Sequence, residues 1–430
     1  MKASIGYDAT TNTLTVTLTE MDWQAARAGS FYQGELTVQE ILNVAGQALT
    51  TDLLRQHEVT DERMEYAGQT YYRKEASVGH YQTLQGEVAV SRHLYQTSAG
   101  GATICPLEIK AGFQFGSATP RLAEVVGFKV ASATPREVAQ DLEKSTGVKL
   151  SPSYLSELAQ QVGAVALAQK TPRVLAMPTP PVCVVATGVD GTTLPLVEEN
   201  YKEAMCGTLA LYDLHGTRLA TEYHATMPQA GKADFTEEMA TRTPAVLAQF
   251  PSALHVCLGD GAKWNWEFFR RYFPAALWIL DFYHAALHLH TAAELIFGAG
   301  AAAESYYEKW RERLLEKRGA ARGLLHSLRH YLRHAQLTAR ARKALTLELN
   351  YFAQHVDHMR YAEFRLLNLP IGSGVTEAAC KELIKARFGR SGMRWTRAGG
   401  APLLQLRTLK LSRQWDDFWL GAMAATPALN

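Results

Sequence analysis

The sequence predicts an α/β protein: a mixed sheet whose strands deliver isolated acids, interrupted by a long helical stretch and preceded by a mixed region of strands and helices. Three observations predict it. Apolar runs of strand length at residues 182–190 and 253–260 each end in an aspartate, Asp190 and Asp260. Residues 285–361 read instead as an Arg-rich helical stretch. Residues 369–395 then set one acid, Glu377, at the start of a helix, after a Gly-Ser-Gly turn and before Lys381, Lys385, Arg387, Arg390 and Arg394. A carboxylate inside such a basic stretch is an odd choice for a purely structural helix. It makes sense where a site holds divalent metal and its surroundings hold phosphate. Three carboxylates from distant parts of a chain are what two-metal phosphoryl transfer requires.

Composition bounds the rest. At 430 residues the chain has room for two or three domains. Its 47% hydrophobic and 20% charged content is that of a soluble globular protein. The net charge is only +2, but residues 301–413 carry 22 Lys+Arg against 9 Asp+Glu, a balance of +13, which leaves −11 for the remainder. Such a basic part suggests a polyanionic partner; a solvated helical face is the plainer reading. The five cysteines, Cys105, Cys183, Cys206, Cys257 and Cys380, form no Cys-x-x-Cys pair and no even framework, which suits a reducing cytoplasm. No secretory signal is visible, and Asp281, His284 and Glu294 interrupt the longest apolar tracts, against a membrane span.

In chain order, residues 1–130 read as a mixed α/β region. Residues 13–18 alternate with period two, residues 35–54 form an amphipathic helix, and residues 70–73 and 86–95 pair as a hairpin. Residues 131–168 read as two short helices around Gly147, opened by Thr134-Pro135 and Ser151-Pro152. Such a pair is consistent with a helix-turn-helix, or with a plain helical hairpin. In the first case Ser153 and Ser156, on the second helix, would face bases. Residues 169–181, with four prolines, make a linker.

From residue 182 the strands follow in the order β-β-β-α-β-α-β: 182–190, 205–213, 218–225, the helix 235–249, 253–260, and 277–281. Acids at the ends of the first and fourth strands make this a ribonuclease H-like layout, in which those strands are neighbours. The core is thus expected at residues 182–284 and 369–430, with 285–368 inserted as helices.

Taken singly, Asp190 in Gly-Val-Asp-Gly and Asp260 in Gly-Asp-Gly-Ala-Lys-Trp are ordinary turn aspartates before glycine. Their matching placement, together with Glu377, favours a metal site, because Mg²⁺ takes oxygen ligands from a few carboxylates and substrate phosphate. Asp281 also ends a strand and competes for the second acidic position; strand order favours Asp260. His284 and His288 stand at zincin spacing, but Ala285 replaces the required glutamate. The Gly372-Ser-Gly374 turn lacks the Lys-Ser/Thr of a phosphate loop.

Gly188-Val-Asp-Gly191, Gly259-Asp-Gly-Ala-Lys-Trp264, Leu280-Asp-Phe-Tyr-His-Ala285, Ile371-Gly-Ser-Gly-Val-Thr-Glu-Ala-Ala379 and Ser391-Gly-Met-Arg-Trp395 resemble the motifs of DDE transposases of bacterial insertion sequences, with the ISKra-type group the best match. Cys105-Pro-Leu-Glu and Thr119-Pro-Arg-Leu-Ala-Glu resemble that group too, so the likeness spans residues 70–415. It implies that Asp190, Asp260 and Glu377 form the catalytic, metal-binding triad. It also implies that the helices after Asp281 are an insertion into the catalytic core. Asp281-Phe-Tyr-His284 resembles an element that mutator-like transposases carry after the fifth strand, which would bring His284 near the scissile phosphate; a capping or core histidine is the alternative. Related transposases often carry a cysteine-based zinc element in this N-terminal part; with only Cys105 there, no structural zinc is expected.

The expected function is therefore a transposase that binds transposon ends, cleaves DNA and joins 3′-OH ends to target DNA with two Mg²⁺ or Mn²⁺ ions. Its expected partners are double-stranded DNA with terminal inverted repeats, target DNA and a second copy of the chain, with no membrane. Lys381, Lys385, Arg387, Arg390, Arg394, Arg397 and Arg407 would contact phosphates, and Trp395 would stack on a base or cap the helix as core. The alternatives are a ribonuclease H-like nuclease without strand transfer and a domesticated, non-catalytic DNA-binding protein.

Overall fold

The computed structural model describes residues 1–169, 178–197 and 199–425; most of the expected linker lies outside the described residues. The chain divides into two compact units, residues 1–170 with 401–430, and residues 171–400.

In the first unit, β1 (Lys2–Asp8) and β2 (Thr13–Thr19) form an antiparallel hairpin on the alternating Thr-rich stretch. After α1 (Trp23–Ala28) comes α2 (Phe31–Arg55), which starts a turn earlier than its periodicity suggests. The reason is Ser30, whose side chain caps the helix by accepting from Gln33 N. A four-stranded antiparallel sheet follows, with β3 (Arg63–Tyr66), β4 (Gln69–Thr83), β5 (Gly86–Thr97) and β6 (Gly100–Ile104) in sequence order. Four helices complete this stretch: α3 (Pro106–Lys110), α4 (Pro120–Val130), α5 (Pro135–Thr146) and α6 (Pro152–Ala168). Thr134 and Glu137 close a capping box on α5, and Gly147, at φ 75°, ends it. On α6, Leu155, Leu158, Ala159 and Val162 are buried at helical spacing.

The second unit is built on one five-stranded mixed sheet. Its strands are β7 (Val184–Leu196), β8 (Asn200–Tyr212), β9 (Arg218–Thr226), β10 (Leu254–Gly259) and β11 (Leu277–Leu280). Their spatial order is β11-β10-β7-β8-β9, with β10 parallel to both β7 and β11 and β8 antiparallel to its neighbours. The first and fourth strands of this sheet are therefore adjacent. Helices α7 (Ala233–Gln249) and α8 (Lys263–Tyr272) are the connections flanking β10. The first strand differs from expectation: it does not end at Asp190 but runs six residues further. Gly191, which would also suit a turn, stays in the ladder opposite Met205, and the hairpin turns only beyond Leu196.

The helical stretch comprises α9 (Phe282–Phe297), α10 (Ala301–Glu316), α11 (Ala320–His334), α12 (Ala339–His355), a single 3₁₀ turn at Val356–His358, and α13 (Tyr361–Leu366). It is not a separate module. Tyr306, Trp310, Leu324, Leu345 and Phe352 belong to the same hydrophobic core as Val185, Val256 and Ile279 of the sheet. After the Gly-Ser-Gly turn, α14 (Gly374–Ala379), a π turn (Cys380–Lys385) and α15 (Ala386–Phe388) run on as one helix.

Finally α16 (Arg397–Leu411) and α17 (Trp415–Ala424) close the described chain. The expectation that residues 369–430 all complete the core is corrected here, since residues from 401 onward belong to the first unit. Within that unit Trp415 packs edge-on against Phe128, and Pro402 meets α6 where Gly163 leaves no side chain.

Candidate active site

The site sits at one end of the five-stranded sheet. β10 pairs with β7 as far as Leu258 opposite Gly188, so two residues on, Asp260 comes level with Asp190. The glycine at 188 lets a helix approach. A Cβ there would collide with Thr376 Oγ1 and crowd Thr208, and these two hydroxyls hydrogen-bond at 2.7 Å. That interlock seats α14 on β7 and β8 and brings Glu377, the residue after Thr376, to the same end of the sheet.

Each carboxylate is supported. Asp190 Oδ1 accepts from Gly191 N at 2.6 Å, and Cys380 Sγ donates to its Oδ2 at 3.5 Å. Asp260 Oδ1 accepts from Ala262 N and from Asn265 Nδ2, each at 2.9 Å. Asn265, on α8 and 4% exposed, also donates to Val189 O at 3.3 Å and so ties the aspartate to β7. Tyr351, from α12, donates its hydroxyl to Asp260 O at 3.1 Å and stacks on His288 with ring centres 3.7 Å apart. Glu377 Oε1 accepts from Ser373 Oγ at 3.0 Å. Asn265, Tyr351, Ser373 and Cys380 are the residues that sequence reasoning missed. The one available signal was Asn265, a polar residue set between Trp264 and Trp266.

Asp281 plays a different part from Asp260. It is fully buried and caps α9, its Oδ1 accepting from His284 N at 2.7 Å while its Oδ2 accepts from Ser373 N. Burial works against its charge, yet the donors from His284 and Ser373 hold its pKa below the usual carboxylate range. With both oxygens so engaged, Asp281 anchors the turn that launches α14.

The electrostatics of Asp190 run the opposite way. Burial pushes the Asp190 carboxyl up, and the charges of Asp260 and Glu377 add to the rise, against the Gly191 N–H. Asp281 raises the His284 imidazole against partial burial, with Asp260 and Glu377 contributing. His284 Nδ1 stands 3.3 Å from Asp281 Oδ1 and 3.7 Å from Glu377 Oε1. The neighbouring Cys206 thiol, burial and the Asp190 charge push the Cys380 thiol far up, so it remains protonated.

Among the described residues, the acids and histidine whose potential ligand atoms all fall within 4.8 Å of one another are Asp281, His284 and Glu377. Glu377 thus belongs to this tight group, and its charge also bears on Asp190. A raised buried carboxyl among other carboxylates fits a divalent cation, which would relieve the repulsion.

The remaining expectations divide. Lys381, Lys385 and Arg394 are exposed and Arg390 is half-buried. Arg387 does not fit a phosphate contact: it is 1% exposed, with its guanidinium against the Phe388 and Trp395 rings and Nη1 donating to Met393 Sδ at 3.8 Å. The helix carrying it turns that position inward, which a count of basic residues cannot reveal. Arg407 is likewise 5% exposed and donates to Ala131 O at 3.0 Å within the first unit. Arg397 pairs with Glu199 and donates to Pro228 O at 2.7 Å. Trp395 is half-buried, packs at a tilt against Phe388 and donates its indole N–H to Phe388 O at 3.0 Å, as the capping alternative describes. In the first unit, Ser153 is exposed and Ser156 half-buried on α6.

No protein-family model and no curated protein sequence matches this chain. No helix among the described residues is long and apolar enough to cross a membrane.

Proposed function

We propose that the chain is a DDE transposase with a ribonuclease H-like catalytic core, which cleaves at transposon ends and joins the freed 3′-OH to target DNA. One observation carries the reading. Asp190 on the first strand, Asp260 after the adjacent fourth strand and Glu377 on the helix seated on the first and second strands share one end of the sheet, and the charges of Asp260 and Glu377 both bear on Asp190. Asp190, Asp260 and Glu377 are the residues that would hold two Mg²⁺ or Mn²⁺ ions; when bound, such ions activate the attacking oxygen and stabilise the leaving one.

The chain's own groups do the positioning. Asn265 and the Ala262 N–H fix one oxygen of Asp260, and the Ser373 hydroxyl fixes Glu377. His284, whose imidazole Asp281 raises above its ordinary value, sets a proton-holding group beside Glu377 where a phosphate would need neutralising. Exposed Lys381, Lys385 and Arg394 supply sequence-independent phosphate contacts, while α5 and α6, read as a helix-turn-helix, present Ser153 and Ser156 to the terminal repeat. A second copy of the chain would hold the other transposon end.

The test is strand transfer from a pre-cleaved, repeat-bearing end into plasmid DNA. The full chain should join strands with Mg²⁺ or Mn²⁺ and stop in chelator. Glu377→Gln should lose both cleavage and joining while keeping DNA binding. Hydrolysis without joining would replace this reading with a plain nuclease, and binding with neither would leave a non-catalytic DNA-binding protein.

A further inference from the structure

Helix α11 turns a face of one chemical kind to solvent. Its exposed residues are Arg322, His326, Arg329, His330, Arg333 and His334, every one an arginine or a histidine. Its buried residues, Ala321, Leu324, Leu325 and Leu328, are all apolar and belong to the core shared with the sheet. Successive residues of a helix turn by about 100°, so Arg322, Arg329 and Arg333, at steps of seven and four, fall within about 40° of one another. The three histidines, four residues apart, form the adjoining row, and the His330 and His334 rings lie 4.7 Å apart. The surrounding sequence keeps the same bias: residues 317–347 hold eight Lys+Arg and no Asp or Glu. Arg340, Arg342 and Lys343 are exposed at the start of α12, and Arg342 donates to Leu332 O, which ties that start to the end of α11.

The neighbouring helix shows that this is not a general property of the helical stretch. On α10, Glu304, Glu308 and Glu312 are exposed beside Lys309, Arg311 and Arg313, the mixture of signs expected of a solvated surface. An acid does reach the α11 face, since Arg322 pairs with Asp357 at 3.4 Å, but both side chains are at least 76% exposed, and a pair so placed contributes little.

These features select a partner. A row of cations flanked by ring N–H donors asks for a partner whose negative charge repeats along its length, and arginine favours phosphate because its planar fork matches it. A helix that lies on a lipid surface must put its apolar side into the lipid, and the apolar side of α11 is already in the core. The face offers no Phe, Tyr or Trp platform for unpaired bases. What remains is the outside of a double helix. At about 22 Å, α11 lies along roughly six base-pair steps.

We propose that this face of α11, continued by Arg340 and Lys343, holds double-helical DNA by its phosphates, whatever the sequence. The inference rests on the transposase reading for its setting. There α5 and α6 are read as facing the terminal repeat, and α11 supplies the complementary surface, for DNA whose sequence does not matter, because phosphate contacts carry no sequence information.

The experiment follows binding of the full chain by fluorescence anisotropy in chelator, where no chemistry intervenes. A repeat-bearing duplex and its scrambled counterpart are compared over a range of salt concentrations. Arg329→Ala combined with Arg333→Ala removes two phosphate contacts, so the slope of log affinity against log salt should shrink by about 1.8, roughly 0.9 for each contact. The shrinkage should be the same on both duplexes. Arg329→Gln combined with Arg333→Gln, which keeps longer side chains on the helix, should repeat it, and Lys309→Ala on the mixed face of α10 should keep the parent's slope. An unchanged slope in both double variants, or a change confined to the repeat-bearing duplex, would overturn the proposal. So would a single strand that competes better than the duplex, or polyglutamate that displaces the duplex at equal charge, which would make the partner an acidic protein segment. The shrunken slope in a chain that never joins strands would keep the face and sink the transposase reading. Strand joining by a chain whose double variants keep the parent's slope would do the reverse.

Discussion

On β9 and α7, Glu222 and Arg242 are buried at 3% and 5% exposure and pair at 2.8 Å, with Glu238 2.9 Å from the other guanidinium nitrogen. On β7 and α14 of the same unit, Asp190 lies with Asp260 and Glu377, and no lysine or arginine pairs with any of the three among the described residues. The outcomes are opposite. Burial works against the Arg242 charge, but Glu222 and Glu238 outweigh it and hold the guanidinium ionised. Burial pushes Asp190 toward neutrality, and its acidic neighbours push the same way. A charge cluster that completes itself stabilises the fold. One that leaves the cation out is electrostatically unfavourable alone.

The largest effect should come from breaking the complete cluster. Arg242→Met takes the arginine away from buried Glu222, and removing one partner of a buried pair costs about 3–5 kcal/mol. Denaturant unfolding should register that loss, whereas a loss below about 1 kcal/mol, as for an exposed pair, would show that the cluster is not buried as described.

Next in size is completing the incomplete cluster. Mg²⁺ or Mn²⁺ at about 100 times its dissociation constant should stabilise the chain by about 2.7 kcal/mol, read as a rise in melting temperature. Asp260→Asn should abolish the rise. Asn265→Ala, which releases Asp260 from its support, should require about 10- to 100-fold more metal for the same rise, as loss of an outer partner does. A melting temperature indifferent to divalent cations would mean that the acids do not form a metal site.

The smallest effect sharpens the contrast. The Asp190 carboxyl is raised in the folded chain, so the folded state binds the proton more tightly than the unfolded one. Its contribution is therefore fully present at low pH and is lost as pH rises through the folded value. Without metal, Asp190→Asn should melt about 2–4 °C higher at pH 8, the shift that ~1 kcal/mol gives in a unit of this size, and no higher at pH 4. A constant difference at both pH values would assign the change to packing rather than to charge.

The two regions also differ in how legible they were. The strands, their order and the acids at positions 190, 260 and 377 could be read from apolar runs and chain sequence, because a buried strand needs a continuous apolar stretch. The sequence did not disclose that β7 passes beyond Asp190, since Gly191 suits a turn and a close-packed strand equally; Glu203 occupies the space its Cβ would take. Nor did it show Arg387 folding inward beneath Trp395, because the π turn before it alters which face each residue occupies. Asn265 and Tyr351 support Asp260 from five and ninety-one positions away. Only the first of these distances falls within reach of local periodicity. The Glu222–Arg242 cluster was not legible at all, because its members read as ordinary charges on a strand and a helix.

The π turn at Cys380–Lys385 has one more consequence. It holds one residue more than the α turn it replaces, and each residue of an α-helix advances the next by about 100°. Everything after it is therefore rotated by one step relative to Glu377. The helix works as a phase shifter: its first half is clocked to the carboxylates, and its second half carries Arg387 inward against the Phe388 and Trp395 rings.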